Sequence, residues 1–166
     1  ALRLAIDTMK LSIKALDDEG LGDIHICPET MGKVNQLGTL DEVLALCSID
    51  ERLIPCIDFG HLNARDLGIL KTTEDFEKIF NAMQGKPVYI TNYTRRNALP
   101  FTDEELTEQL FVAAQCGDNP KLIDIRCDLF DRQPDEYTYD EEAVKRQKEV
   151  IEMFHEMGAE VLMSTH

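Results

Sequence analysis

Short apolar runs alternate along this chain with longer amphipathic segments. The apolar runs are centred near residues 26, 56, 90, 125 and 162, and the segments between them carry apolar side chains at spacings of three and four. This alternation is typical of consecutive βα units, in which a helix returns the chain to the same end of a parallel sheet. The sequence therefore predicts a single α/β domain over residues 1–166, with five βα-type units and a parallel sheet.

Two architectures accommodate five such units: part of a (β/α)8 TIM barrel or, as the alternative, an open doubly wound sheet. The predicted elements begin with a helix and end with a strand, which favours the partial barrel. A polar loop is predicted from His61 to Thr72. The predicted helices span residues 2–16, 40–47, 74–83, 102–115 and 140–157, and the predicted strands span residues 24–27, 53–58, 87–92, 122–127 and 159–163.

Composition narrows the classes of function. The formal net charge is −15, from 32 acidic and 17 basic side chains, and so negative a surface disfavours extended nucleic-acid binding. The sequence has neither a membrane-length apolar run nor a leader, which predicts a soluble, cytoplasmic protein without a membrane partner. Five cysteines without a Cys-x-x-Cys pair predict free thiols. Cys27, Cys56 and Cys127 fall in predicted strands and are expected to be core residues.

Chemically reactive side chains follow the first two predicted strands. Glu29 follows the run 24–27, and Asp58 and His61 follow the run 53–57. The carboxyl ends of neighbouring parallel strands lie about 5 Å apart, so these three side chains are expected to converge. Two carboxylates and an imidazole suit a divalent ion such as zinc or manganese, with a bound water as nucleophile and no organic cofactor. The structural alternative is that Asp58 caps the following turn and His61 is a solvated loop residue.

The residues around this cluster carry a family resemblance. Residues of about 20 to 80 contain Ile-Cys-Pro-Glu-Thr-Met-Gly and, further on, Cys-Ile-Asp-Phe-Gly-His-Leu-Asn-Ala-Arg. This region resembles the endonuclease IV-like, xylose-isomerase-like TIM barrels. The resemblance implies that Glu29, Asp58 and His61 are metal ligands and that the reaction is hydrolysis of a phosphodiester substrate at abasic sites. It also implies further histidine and acidic ligands that this sequence does not contain, so a complete trinuclear site is not expected.

The second half of the chain carries a different resemblance. Residues 85–166 contain Gly-Lys-Pro-Val-Tyr-Ile-Thr, then Leu-Ile-Asp-Ile and a final Met-Ser-Thr-His, and they resemble type I 3-dehydroquinate dehydratase. The resemblance implies that His166 is a general acid/base, beside a Schiff-base lysine on a further strand that this sequence does not contain. Arg95 and Arg96 are candidates for binding a phosphate or carboxylate group of a small-molecule substrate.

Three hypotheses of function follow from these patterns. The first is a divergent, metal-binding hydrolase of the endonuclease IV type, which is inactive if its missing ligands are essential. The second is a dehydratase-like lyase that depends on His166. The third is an inert barrel-fragment scaffold, natural or engineered. Two barrel-derived segments are predicted to join between residues 70 and 85, and the exposed strand edges of an incomplete barrel predict a homo-oligomer.

Overall fold

A fully parallel sheet of four strands forms the centre of the protein in the computed structural model, which describes residues 1–68, 70–92, 101–132 and 139–165. The strands are β1 (Cys56–Asp58), β2 (Val88–Thr91), β3 (Lys121–Arg126) and β4 (Glu160–Ser164). The helices are α1 (Leu2–Asp18), α2 (Leu40–Cys47), α3 (Phe59–Arg65), α4 (Thr73–Ala82), α5 (Asp103–Gln115) and α6 (Glu141–Glu156). The predicted α/β class with a parallel sheet is confirmed.

The strands lie in the sheet in the order in which they occur in the chain. Ile57 of β1 is in register with Ile90 of β2, and Ile90 is in register with Ile123 of β3. β3 then pairs in parallel with β4 through five residue pairs. A doubly wound sheet has a point at which the strand order reverses. The order β1-β2-β3-β4 of the described strands contains no reversal.

The first predicted strand, residues 24–27, is not a strand of this sheet. Two isolated parallel bridges join the segment to the chain leading into β1 and to β1 itself, one from Ile26 to Leu53 and the other from Glu29 to Cys56. The prediction of five complete strands is therefore wrong among the described residues. The segment nevertheless follows the edge of the sheet and brings Glu29 alongside β1.

Proline explains why this edge remains incomplete. The Ile26 N–H donates to the Arg52 carbonyl at 3.1 Å, and the Thr30 N–H donates to the Cys56 carbonyl at 3.0 Å. Pro28 lies between these two donors and has no N–H, so the alternate hydrogen bond that would join them into a ladder cannot form. The segment keeps the direction of a strand while losing its continuity.

A helix occupies part of the predicted loop after His61. α3 begins directly after β1, and the carboxylate of its N-cap, Asp58, accepts a hydrogen bond from the His61 N–H at 2.9 Å. Phe59 and Leu62 are the buried apolar residues of this short helix. Two apolar positions are too few to establish a helical period, so the sequence pattern did not distinguish α3 from a loop.

The other helices were predicted to within a few residues, and their caps follow the expected local chemistry. The Thr39 hydroxyl accepts from the Glu42 N–H, and the Glu42 carboxylate accepts from the Thr39 N–H at 3.0 Å. Thr102 and Glu105 form the same reciprocal capping box at the start of α5. In the described residues, none of the helices combines the length and apolar character needed to cross a membrane.

The main core lies between one face of the sheet and the helices. Ile57, Ile90 and Ile123 are fully buried on this face. They belong to one cluster with helical residues that include Phe59, Phe76, Phe80, Leu110, Val150 and Phe154. Side chains alternate along a strand, so Asp58 and Tyr89 point to the opposite face. A smaller cluster of Ile13, Val43, Cys47 and Leu53 holds α1 and α2.

The five cysteines are all free thiols, as predicted. Cys56 on β1 is buried, as expected of a core residue, whereas Cys27 and Cys127 are exposed. The core prediction was wrong for these two because Cys27 lies on the interrupted edge segment and Cys127 follows the last residue of β3.

Candidate metal centre

Three side chains with metal-ligating atoms converge at the carboxyl end of β1. Glu29, Asp58 and His61 each offer one such atom, and these atoms all lie within 4.8 Å of one another. Glu29 comes from the edge segment, Asp58 is the last residue of β1, and His61 lies in the first turn of α3. The structure therefore brings together the three residues that the sequence singled out.

Asp58 is the buried member of the cluster. It is 1% exposed, and its Oδ1 atom caps α3 by accepting the His61 N–H at 2.9 Å. The structural alternative considered for Asp58 is thus correct as far as capping goes, and capping places the same carboxylate beside the His61 ring. Burial raises the pKa of Asp58 to about 6, against the opposing effects of the His61 ring and of the N–H groups at the start of α3.

His61 donates from Nδ1 into a group of acceptors. Nδ1 lies 2.8 Å from the Thr30 carbonyl oxygen, 3.1 Å from Oε1 of Glu29 and 3.6 Å from Oδ2 of Asp58. A carbonyl oxygen can only accept, so Nδ1 carries a hydrogen in this arrangement. The hydrogen bond to Glu29 raises the pKa of His61 to about 9, with a further contribution from Asp58 and against partial burial. At neutral pH the ring is therefore an imidazolium that bridges two carboxylates.

Thr30 is a supporting residue that the sequence analysis missed. Its side chain is buried, and its hydroxyl accepts the Asp58 N–H at 2.9 Å while donating to the Asp58 carbonyl at 3.3 Å. These contacts fix the main chain of Glu29 and Thr30 relative to Asp58. The one signal in the sequence was the position of a β-branched hydroxyl residue directly after Glu29.

A second polar pair, formed by the half-buried Tyr89 and the buried Asp124, lies further along the sheet. The Tyr89 hydroxyl on β2 donates to Oδ2 of Asp124 on β3 at 2.7 Å. Burial, helped by this hydrogen bond, raises the pKa of Tyr89 well above its usual range. The phenol therefore stays protonated and holds the Asp124 carboxylate in place.

Three predicted site residues lie outside the described part of the chain. They are the candidate substrate-binding residues Arg95 and Arg96 and the candidate acid/base His166. Their roles remain sequence predictions.

The donor set of the cluster fits a divalent cation. Ligand bonds of about 2.0 to 2.2 Å place two ligand atoms of one ion at most about 4.4 Å apart. The distances of 3.1 and 3.6 Å from His61 to Glu29 and Asp58 already lie within that limit. Nδ1 carries a hydrogen in this structure, so metal binding at this atom requires that a proton leave. A metal ion that bound here would therefore replace a proton on His61 rather than fill a bare cavity.

Comparison with known proteins finds a short stretch of similarity. Over 62 residues, the chain is 39% identical to an uncharacterized protein of Methanocaldococcus jannaschii. The matched stretch is 37% of this chain and 22% of that protein, so this chain spans about a fifth of the length of the relative it matches. No family model matches the chain, and no solved structure matches it.

Proposed function

We propose that this chain binds a divalent metal ion, zinc or manganese, through Glu29, Asp58 and His61. The observation that carries the proposal is the convergence of three ligand atoms around an Asp58 carboxylate that is almost fully buried. Burying a carboxylate next to a second one costs free energy unless a cation compensates both. Among the described residues, the cation that contacts both carboxylates is the His61 ring. Its positive charge comes from a bound proton, which a metal ion can replace.

We further propose that the fold is part of a (β/α)8 barrel and that the site is hydrolytic, of the endonuclease IV type. The strand order without reversal supports the barrel, as does the location of the cluster at the carboxyl ends of strands, where barrel enzymes carry their active sites. The resemblance of residues 20 to 80 supports a phosphodiester substrate. A divalent ion there would supply a water of lowered pKa and would polarise a phosphoryl oxygen.

The protein's own side chains have distinct tasks in this proposal. Asp58 caps α3 and thereby sets the direction of His61, and Thr30 fixes the main chain on both sides of the cluster. Three protein ligands leave a coordination position for water, as in catalytic rather than structural zinc sites. Glu29, about two-fifths exposed, is the ligand on the solvent side, where a substrate would approach.

Metal uptake tests the first proposal. Chelator-treated protein is dialysed against Zn²⁺ or Mn²⁺ and its metal content is measured by elemental analysis. About one ion per chain is expected, with binding weakened at least about tenfold in Asp58→Ala and in His61→Ala. Asp75→Ala is the matched control, because it removes a capping carboxylate of α4 that is outside the cluster. Wild-type protein that takes up no metal, or an Asp58→Ala protein that binds as well as the wild type, refutes the proposal.

Cleavage of a duplex oligonucleotide with one abasic site tests the second proposal. Metal-loaded wild-type protein is expected to cleave the strand, whereas Asp58→Asn protein, purified in parallel, is expected not to. Equal cleavage by both proteins would identify a contaminating nuclease. Stoichiometric metal binding without cleavage refutes the hydrolase and leaves a metal-binding protein that is inert on this substrate.

A further inference from the structure

The guanidinium of Arg65 holds a loop beside the candidate metal site. Nη1 donates to the carbonyl oxygens of Met31 at 3.0 Å, Lys33 at 2.9 Å and Gln36 at 3.2 Å. Nη2 donates to the carbonyl oxygens of Val34 at 3.4 Å and Gln36 at 3.2 Å. Every hydrogen bond that this side chain makes to the described residues therefore ends on the main chain of a single short loop.

This loop, residues 31–38, has little regular structure of its own. Two main-chain hydrogen bonds lie within it, from the Met31 N–H to the Gly38 carbonyl at 2.9 Å and from the Gln36 N–H to the Lys33 carbonyl at 3.0 Å. A guanidinium presents five N–H donors in a rigid plane, so it can bind several carbonyls at once. A lysine ammonium at the same position could satisfy only part of this set. Arg65 therefore binds main-chain carbonyls of this loop that regular secondary structure would otherwise bind.

The same face of α3 carries Arg65 and His61. The two residues are four positions apart, so their side chains lie one helical turn from each other. The loop packs directly on this face, since a Cβ atom built on Gly32 would lie 3.4 Å from Cδ2 of His61 and 3.5 Å from Cβ of Ala64. The loop also continues directly from Thr30, whose carbonyl lies 2.8 Å from Nδ1 of His61. α3 thus binds the Glu29 segment and its loop at two points.

We propose that Arg65 is a positioning residue of the metal site. By binding the carbonyls of residues 31–36 it fixes the segment that carries Glu29 against His61. Thr30 fixes this segment on one side of the cluster, and Arg65 adds a second anchor to a segment that joins the sheet through isolated bridges rather than a continuous ladder. The consequence for metal affinity rests on the proposed function, whereas the consequence for the loop does not. Without the Arg65 side chain, the Glu29 carboxylate is still available as a ligand. Its segment is no longer held in the position that metal binding requires.

The test compares Arg65→Gln and Arg65→Lys with Arg52→Gln. Arg52 is the matched control, because its guanidinium also anchors main chain and side chains, binding Asp17, Asp50 and the Gly22 carbonyl away from the cluster. Amide hydrogen exchange of metal-free protein is measured at Met31, whose N–H bonds to Gly38. Zinc affinity is measured by competition with a chromophoric chelator.

Arg65→Gln is expected to speed exchange at Met31 at least about tenfold and to weaken zinc binding about ten- to one-hundredfold. Arg65→Lys should give intermediate values, and it provides the measurement if Arg65→Gln does not fold. Arg52→Gln should leave both quantities at wild-type levels even if it lowers the melting temperature. Wild-type values in both Arg65 variants overturn the proposal, and so does faster exchange with unchanged zinc affinity. Failure of the wild type to bind zinc refutes the proposed function instead, and the exchange data then decide alone whether Arg65 fixes the Glu29 segment.

Discussion

Thr30 and Asp58 are joined by two hydrogen bonds between segments 28 residues apart in the chain. The Asp58 N–H donates to the Thr30 hydroxyl at 2.9 Å, and that hydroxyl donates to the Asp58 carbonyl at 3.3 Å. Both residues are buried, with 0% and 1% of their surface exposed. One hydroxyl thus satisfies a donor and an acceptor that water cannot reach, at the point where the edge segment meets the end of β1.

Replacing this hydroxyl by a methyl group should destabilise the protein. Thr30→Val keeps the shape but leaves the Asp58 N–H and carbonyl without a side-chain partner, at a cost of about 1 to 3 kcal/mol. Thr30→Ser keeps the hydroxyl and removes one buried methyl group, which should cost about 1 kcal/mol. Urea unfolding compares the two variants. A Thr30→Val protein as stable as Thr30→Ser would show that the two hydrogen bonds contribute nothing net.

Asp58→Asn should stabilise the fold at neutral pH while abolishing metal binding. The folded pKa of Asp58, about 6, lies above its usual value of 3.8. A raised folded pKa means that the stability contributed by this group is fully present below about pH 4 and is lost as the pH rises through about 6. Asparagine has no charge to bury, and its Oδ1 can still accept the His61 N–H.

The gain of Asp58→Asn over the wild type should therefore depend on pH. It is expected to be near zero at pH 4, to grow between pH 4 and 6, and to level off above pH 6 at about 2 to 3 kcal/mol. The plateau follows because the folded and unfolded pKa values of Asp58 differ by about two, which corresponds to about 3 kcal/mol. Urea unfolding at five pH values from 4 to 8 measures this profile. The burial of a charged Asp58 carboxylate would not explain a stability difference between the two proteins that is the same at every pH. It would also not explain an Asp58→Asn protein that is less stable than the wild type above pH 6.

Zinc binding at pH 7 should release about one proton per ion. With a pKa of about 9, His61 is protonated at pH 7, and a metal-bound imidazole must give up its Nδ1 or Nε2 proton. Asp58, with a pKa of about 6, is already mostly ionised at pH 7 and contributes little. Calorimetric titration in buffers of different ionisation enthalpy counts the protons released. Binding without proton release would mean that His61 is not a ligand, and His61→Gln should remove the effect.

The parts of this structure that sequence analysis predicted are those that depend on local chemistry or on strand order. The capping box of Thr39 and Glu42 spans three residues, so the pattern itself contains both partners. The convergence of Glu29 with Asp58 was predicted because the two segments were expected to run parallel and to end at one edge of the sheet, and the isolated bridges retain that parallel direction. Neither inference requires knowledge of side-chain packing.

The parts that sequence analysis missed depend on partners far apart in the chain. Arg65 binds carbonyls that precede it by 29 to 34 residues, and nothing in the residues around Arg65 distinguishes this from a solvated arginine. The first predicted strand is incomplete because every second N–H of its segment points toward the chain of β1, and Pro28, which has no N–H, occupies one of these positions. Only the observed register shows that this proline falls on the bonding side.

Ile57 tests whether the two halves of the chain share one core. This fully buried residue of β1 is in register with Ile90 of β2, and both belong to the cluster that contains Phe154 of α6. Ile57→Ala should cost about 2 to 5 kcal/mol and should lower amide protection in β3 as much as in β1, because a continuous core unfolds as a unit. Leu11→Ala, on the exposed side of α1, is the control and should change stability by less than about 0.5 kcal/mol. Wild-type protection in β3 alongside lost protection in β1 would show instead that the halves unfold independently on either side of residues 70–85.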